Sequence, residues 1–100
     1  MLLTVRRVRL LLAFCIAASG CAEPLSHEEC ETLLDRYVSL LAASDRPKTG
    51  EAELVRLKLQ AREKAARDPT FGRCAREVSR SQFQCAMKAE HVDRLEQCML

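Results

Sequence analysis

The sequence predicts an all-α fold: a small helical hairpin plus short C-terminal helices, disulfide-stapled, after a cleaved signal peptide. Apolar residues recur at spacings of three and four behind helix-start signals, and no stretch alternates apolar and polar residues as a strand does. Six cysteines in 100 residues supply the covalent links. We expect residues 1–20 to form the signal peptide, 21–25 a short tether and 26–100 one small helical domain.

The N-terminal segment carries the export signal. Arg6, Arg7 and Arg9 precede an apolar run over residues 10–18. Nine apolar residues in a helix span about 13 Å, whereas a bilayer core is about 30 Å thick. The run is therefore too short for a stable membrane span and is typical of a signal peptide, with small residues before Cys21 that suit a peptidase.

The end of this segment, Ala18-Ser19-Gly20-Cys21, resembles the box that closes bacterial lipoprotein signal peptides. The resemblance implies that Cys21 is acylated and holds the mature chain on the periplasmic side of a bacterial membrane, with the outer membrane favoured. Ala18 departs from the leucine commonest at its position. Cleavage after Gly20 without acylation is therefore a second interpretation, and a retained helix is a third.

Cysteine parity favours acylation. Cys15 lies in the segment that is removed, and Cys21 would carry the lipid. Four cysteines then remain in the domain, which are Cys30, Cys74, Cys85 and Cys98. An even number suits disulfides in an oxidising compartment, whereas an unacylated Cys21 would leave an unpaired thiol.

The first helix begins at a capping box formed by Ser26 and Glu29. One apolar stripe follows at helical spacing, and it consists of Cys30, Leu33, Leu34, Tyr37, Val38 and Leu41. Acidic and basic residues take the opposite face. Pro47 and Gly50 in the segment 45–50 predict the turn that ends this helix.

The second helix is predicted over residues 51–67, with acidic residues in its first turn and basic ones near its end. Its apolar residues are spread widely, and we expect Leu54 and Leu57 to be left over as an exposed contact patch. Asp68 and Pro69 predict the end of this helix and the start of the next. Short helices then follow over residues 69–78, 81–89 and 92–98.

Hairpin geometry predicts the disulfides. An antiparallel hairpin returns the chain near Cys30 at residues 65–70, which places Cys74 within reach. A turn at residues 90–91 brings Cys85 towards Cys98. Cys74 and Cys85 would lie about 16 Å apart on a continuous helix, so a disulfide between them needs a sharp break at residues 79–81. We therefore expect the pairs Cys30–Cys74 and Cys85–Cys98.

A metal- or thiol-dependent periplasmic protein is the alternative. His27 lies three residues before Cys30, and His91 lies between Cys85 and Cys98, so zinc-capable ligands exist. The sequence contains no C-x-x-C pair, and an oxidising compartment favours disulfides over thiolates. We expect His27 to be an exposed helix residue and His91 to belong to a turn or helix cap, with no metal and no cofactor.

The C-terminal cysteines lie in a segment that resembles one recurring in small exported proteins of Gram-negative bacteria. It runs from Cys74 to Ala89 and continues with Leu95 and Cys98. The resemblance implies that its cysteines are framework residues and implies nothing about catalysis.

Composition limits the function further. Without the three arginines of the signal peptide, 13 basic residues face 14 acidic ones, which gives no electrostatic footprint for nucleic acid. The sequence contains no phosphate-binding loop and no nucleophile motif. We expect a membrane-anchored binding or structural module without catalysis. Its partners would be membrane lipid, through acylated Cys21, and a protein, with no small-molecule substrate indicated.

Overall fold

The computed structural model describes residues 23–100. In this part of the chain six helices follow one another and no strand forms. The helices are α1 (His27–Asp45), α2 (Glu51–Ala66), α3 (Pro69–Gly72), α4 (Cys74–Glu77), α5 (Arg80–Lys88) and α6 (Val92–Cys98). The predicted all-α class is confirmed. The predicted signal peptide over 1–20, the lipidation site Cys21 and Ala22 of the tether lie outside the described residues.

The capping box predicted for the first helix is present. The backbone N–H of Glu29 donates to Ser26 Oγ at 3.0 Å, and the N–H of Ser26 donates to Glu29 Oε1 at 3.0 Å. The helix then runs to Asp45, where the N–H of Arg46 donates to the carbonyl of Ala42 at 2.8 Å. The boundaries of α1 therefore follow from local chemistry in the sequence.

α1 and α2 form the predicted antiparallel hairpin. Four apolar residues of α2 lie half-buried at helical spacing, and they are Leu54, Leu57, Ala61 and Ala65. The hairpin is also linked by Arg62, which donates from Nε and Nη2 to the two carboxylate oxygens of Asp35 at 3.0 and 2.6 Å. Packing and a two-pronged ion pair thus fix α2 on one side of α1.

The single helix predicted over residues 69–78 is divided in the structure. α3 begins as expected, since Asp68 Oδ1 accepts from the N–H of Thr70 at 2.8 Å and Pro69 follows it. Arg73 then separates α3 from α4, because its ψ of −7° departs from the helical value near −42°. The break turns the chain so that Cys74 starts a new helical turn.

The sequence predicts that the helix α5 begins at Ser81, whereas it begins one residue earlier, at Arg80. Ser79 caps the helix, with its Oγ accepting from the N–H of Gln82 at 3.0 Å, and Gln82 Oε1 accepts in return from the N–H of Ser79 at 2.8 Å. This is a second capping box, S-x-x-Q, and it moves the helix start to Arg80.

Two buried clusters hold the domain together on either side of Leu33. One contains Leu40, Ala86, Ala89 and Leu95, and it joins α1 to α5 and α6. The other contains Leu25, Cys30 and Cys74, and it joins the start of the domain to α1 and α4. Leu40 was absent from the predicted stripe, which shows that α1 is covered from a second side as well. α1 is the central helix of the described domain.

Candidate functional site

An apolar groove opens between α1, α3, α4 and α6. It has a volume of about 350 Å³. Its lining residues are Cys30, Leu33, Leu34, Tyr37, Phe71, Cys74, Leu95, Glu96 and Met99. All but one are apolar or aromatic, and Glu96 brings the only charge. The groove can therefore hold an apolar group, and it offers little to orient a polar ligand.

A disulfide between Cys30 and Cys74 contributes to the groove wall. The Cα atoms of this pair lie 6.2 Å apart, and both residues are buried. The pair joins α1 to α4 and so holds two sides of the groove in register. The second pair, Cys85 and Cys98, has a Cα separation of 5.7 Å and joins α5 to α6. Both cysteine pairs expected from hairpin geometry therefore lie at disulfide distance.

The polar atoms of the groove are already paired with each other. Tyr37 donates from its hydroxyl to Glu96 Oε1 at 3.1 Å. Partial burial raises the pKa of Tyr37, and the neighbouring Glu96 carboxylate reinforces the shift. The phenol is therefore neutral throughout the physiological range and acts as a donor. The pair holds α6 against α1 at the groove.

The two histidines lie apart from any set of metal ligands. His27 is exposed in the first turn of α1, where its Nε2 lies 3.6 Å from Glu31 Oε1 and its ring meets Phe71 edge-on at 6.4 Å. His91 is exposed at the N-cap of α6 and makes no side-chain cap hydrogen bond. Among residues 23–100 no group of three or more His, Cys, Asp or Glu side chains could hold a metal ion.

The beginning of the domain is fixed firmly to its body. Leu25 is only 3% exposed, and its N–H donates to the carbonyl of Ala75 at 3.3 Å. Arg80 Nη2 reaches the carbonyl of Pro24 at 3.5 Å and Glu29 Oε1 at 3.2 Å. The predicted tether over 21–25 is therefore partly incorporated into the domain, since Pro24 and Leu25 belong to the folded structure.

An ion pair strengthens this attachment. Arg80 also donates from Nη1 to Glu29 Oε2, so its guanidinium is hydrogen-bonded to both oxygens of the carboxylate. Hydrogen bonding to Arg80, followed by that from the Ser26 backbone, lowers the pKa of Glu29 below its usual range. Glu29 thus caps α1 and connects it to α5 with the same carboxylate.

The exposed aliphatic residues on the second helix are not the two that the sequence predicts. Leu54 and Leu57 are half-buried on the α2 side that carries Ala61 and Arg62, so they are not the exposed pair. Val55 and Leu59 are 56% and 57% exposed instead. No clear stripe is visible in the sequence here, because apolar residues occupy both sides of α2 and only contact with α1 distinguishes them.

Sequence reasoning also missed most of the groove. Phe71, Leu95 and Met99 come from segments far from α1 in sequence, and only their meeting beside Leu34 creates the cavity. Periodicity places Leu33, Leu34 and Tyr37 on one apolar face but does not indicate what covers that face. No signal in the sequence indicated that part of it would stay open.

Comparisons with known proteins add nothing to this geometry, because no family model, curated protein or solved structure matches the chain. Among residues 23–100 no helix has the length and apolar character needed to cross a bilayer.

Proposed function

We propose that the chain is a membrane-anchored binding module: exported, cleaved before Cys21, acylated there, and held at the periplasmic side of a bacterial membrane. The helical domain over 26–100 binds a protein partner and performs no catalysis. The observation that carries the binding role is the apolar groove between α1 and α6. The anchor follows from the sequence box Ala18-Ser19-Gly20-Cys21.

The groove suits an apolar side chain of a protein better than a metabolite. Its volume of about 350 Å³ is near the small end of the range of roughly 300–1,000 Å³ typical of ligand pockets. Ligand pockets also present several polar groups that orient their occupant. Here Tyr37 and Glu96 are bonded to each other, so an aliphatic or aromatic side chain is the occupant that the walls favour.

The fixed start of the domain supports the anchoring role. Leu25 is buried, which leaves only Ala22, Glu23 and Pro24 between it and the proposed acylated residue. Four residue steps span at most about 14 Å, so an anchor at Cys21 keeps the domain close to the lipid headgroups. Two or more acyl chains give stable attachment, whereas one chain alone does not.

Acylation is tested by replacing Cys21 with serine in the full chain expressed in a Gram-negative host. The wild type should partition into the detergent phase, and the mass of its N-terminal peptide should include the lipid. Cys21→Ser should remain unprocessed or become water-soluble. Cys15→Ser is the matched control, because Cys15 lies in the segment that is removed. Equal detergent partitioning of Cys21→Ser and wild type would contradict the anchor.

The groove is tested with the same substitution at two positions of α1, one inside the groove and one outside it. Leu34 lines the groove, whereas Leu41 lies two turns further along α1, near Leu57 of α2. A solvatochromic apolar probe should bind the wild type with a blue-shifted emission. Leu34→Gln should weaken that binding about tenfold or more, a loss expected when a polar group replaces an apolar wall. Leu41→Gln should bind the probe as the wild type does, and equal loss in both variants would contradict the groove.

A further inference from the structure

The outer side of α2 carries the largest exposed aliphatic side chains of any helix in the described domain. Val55 and Leu59 are more than half exposed, and the other large exposed hydrophobic residue among 23–100 is the terminal Leu100. Ala52 and Ala66 are also exposed and extend the same line at spacings of three, four and seven. These four residues, Ala52, Val55, Leu59 and Ala66, form a narrow apolar stripe that no other element within residues 23–100 covers.

Charged residues flank this stripe in an order that is complementary to itself. Arg56 follows Val55 and is bonded from its Nε to Glu53 Oε2 at 3.1 Å. Glu63 is exposed one turn beyond Leu59 and makes no ion pair within residues 23–100. On the two sides of Leu59 the stripe is therefore flanked by a base, Arg56, and an acid, Glu63, while the ends of α2 carry charge in the opposite order, with Glu51 and Glu53 in the first turn and Lys64 in the last.

We infer that the outer face of α2 pairs with the same face of a second copy of this chain, in an antiparallel arrangement centred on Leu59. A twofold axis at Leu59 sets Ala52 opposite Ala66 of the second copy. It also brings Arg56 beside Glu63 of the second copy, and symmetry repeats each contact. A single surface thus supplies both partners of every contact.

Helix direction distinguishes this pairing from its alternative. Parallel helices in register would place Arg56 against Arg56 and Glu63 against Glu63, which costs energy. Antiparallel helices replace both repulsions by attractions and also oppose their dipoles. The small side chains of Ala52 and Ala66 let the helix ends approach closely. The charge order therefore favours the antiparallel pair.

The contact is confined to one helix of each copy, so it is smaller than a standard protein interface and the dimer is weak. Its strength depends on two symmetry-related ion pairs and a short aliphatic seam. The pairing leaves the groove between α1 and α6 open, because no residue of α2 lines that groove. Self-association and occupation of the groove are therefore independent, and acylation at Cys21 is not required for either.

Charge reversal provides the test, using the mature chain as it is purified and sedimentation velocity over a concentration series. The wild type should form dimers as concentration rises. Arg56→Glu and Glu63→Arg should each weaken the dimer about tenfold, since each disrupts two ion pairs. The double variant R56E/E63R should recover the wild-type association, because the pairs re-form with exchanged partners. The double variant does not restore the bond between residues 53 and 56 within one helix. Its recovery therefore reports the contact between the two copies.

Two further variants complete the design. Leu59→Glu places two carboxylates at the twofold axis and should abolish the dimer while far-UV circular dichroism stays unchanged. Arg94→Glu, an exposed charge reversal on α6, is the control and should dimerise as the wild type does. A chain that stays monomeric at every concentration would overturn the inference. A dimer that persists in Leu59→Glu would also overturn it, and so would a double variant that does not regain association. In those cases the dimer would form through another surface, or this face would bind another protein.

Discussion

Arg62 and Asp35 join the two long helices through two hydrogen bonds, at 3.0 Å from Nε to Oδ1 and at 2.6 Å from Nη2 to Oδ2. Hydrogen bonding to Asp35 raises the pKa of Arg62 above its usual value. Both side chains are partly shielded, and the guanidinium matches the carboxylate in shape. The pair fixes the register of the hairpin.

Removal of this pair should cost more than removal of an exposed pair on the same helix. Arg62→Ala should lower the free energy of unfolding, because a two-pronged, partly shielded bond is lost. Arg62→Lys should recover only part of it, since an ammonium cannot match both oxygens. Arg56→Ala, which removes the more exposed pair within α2, should lower the free energy of unfolding less. Urea denaturation measures all three, and equal costs for Arg62→Ala and Arg56→Ala would contradict the role of Asp35.

The two cysteine pairs should behave as two units. Cys30→Ala should match Cys74→Ala, and Cys85→Ala should match Cys98→Ala, because the members of each pair lose one bond. A loop-entropy model gives about 4 kcal/mol for the bridge that spans 44 residues and about 3 kcal/mol for the one that spans 13. Denaturation under non-reducing conditions checks the magnitudes. Peptide mapping that joined Cys30 to Cys98 would refute the pairing.

The Glu29 carboxylate should make stability depend on acid pH. Its pKa is lower in the folded state than the reference value of 4.5, chiefly through Arg80. The stabilisation is therefore present above the pKa of the unfolded chain and is lost as the pH falls through the lower folded value. The stability difference between wild type and Glu29→Gln should be constant from neutral pH down to about 5 and shrink below it. A difference that grew on acidification would reverse the sign and contradict the ion pair.

Leu25 should contribute to stability although it precedes the first helix. It is 3% exposed and packs with Cys30 and Cys74, so Leu25→Ala should cost about 2–4 kcal/mol through lost burial and a residual cavity. Leu100→Ala is the control, since that side chain is fully exposed and its loss should change stability by less than about 0.5 kcal/mol. Thermal unfolding compares the two. A cost for Leu25→Ala as small as the control would mean that the tether is not part of the fold.

Local signals were sufficient to predict much of this fold, and residues far apart in sequence account for the rest. The start of α1 depends on Ser26 and Glu29, which lie three residues apart and satisfy each other's backbone. Ser79 and Gln82 have the same spacing and the same reciprocal bonds at the start of α5. Leu40 could not be assigned from α1 alone, because its burial comes from α5 and α6.

The candidate surfaces were harder to predict for the same reason. Leu57 and Leu59 are two residues apart and chemically identical, yet α1 half-covers one and leaves the other exposed. The groove likewise needs Phe71 and Met99 to meet Leu34 across three helices. Sequence periodicity identifies apolar faces, whereas which of them remain uncovered depends on tertiary packing.

Both bridges connect cysteines that are neighbours in chain order, Cys30 with Cys74 and Cys85 with Cys98. On the export route proposed above, with Cys21 occupied by lipid, these four cysteines would reach the oxidising side of the membrane one after another. An oxidant that links each newly arrived thiol to the one waiting for it would produce the observed pattern directly. Disulfide formation would then need an electron acceptor but no enzyme that isomerises mispaired disulfides. The order in which the cysteines arrive would be enough to determine which ones pair.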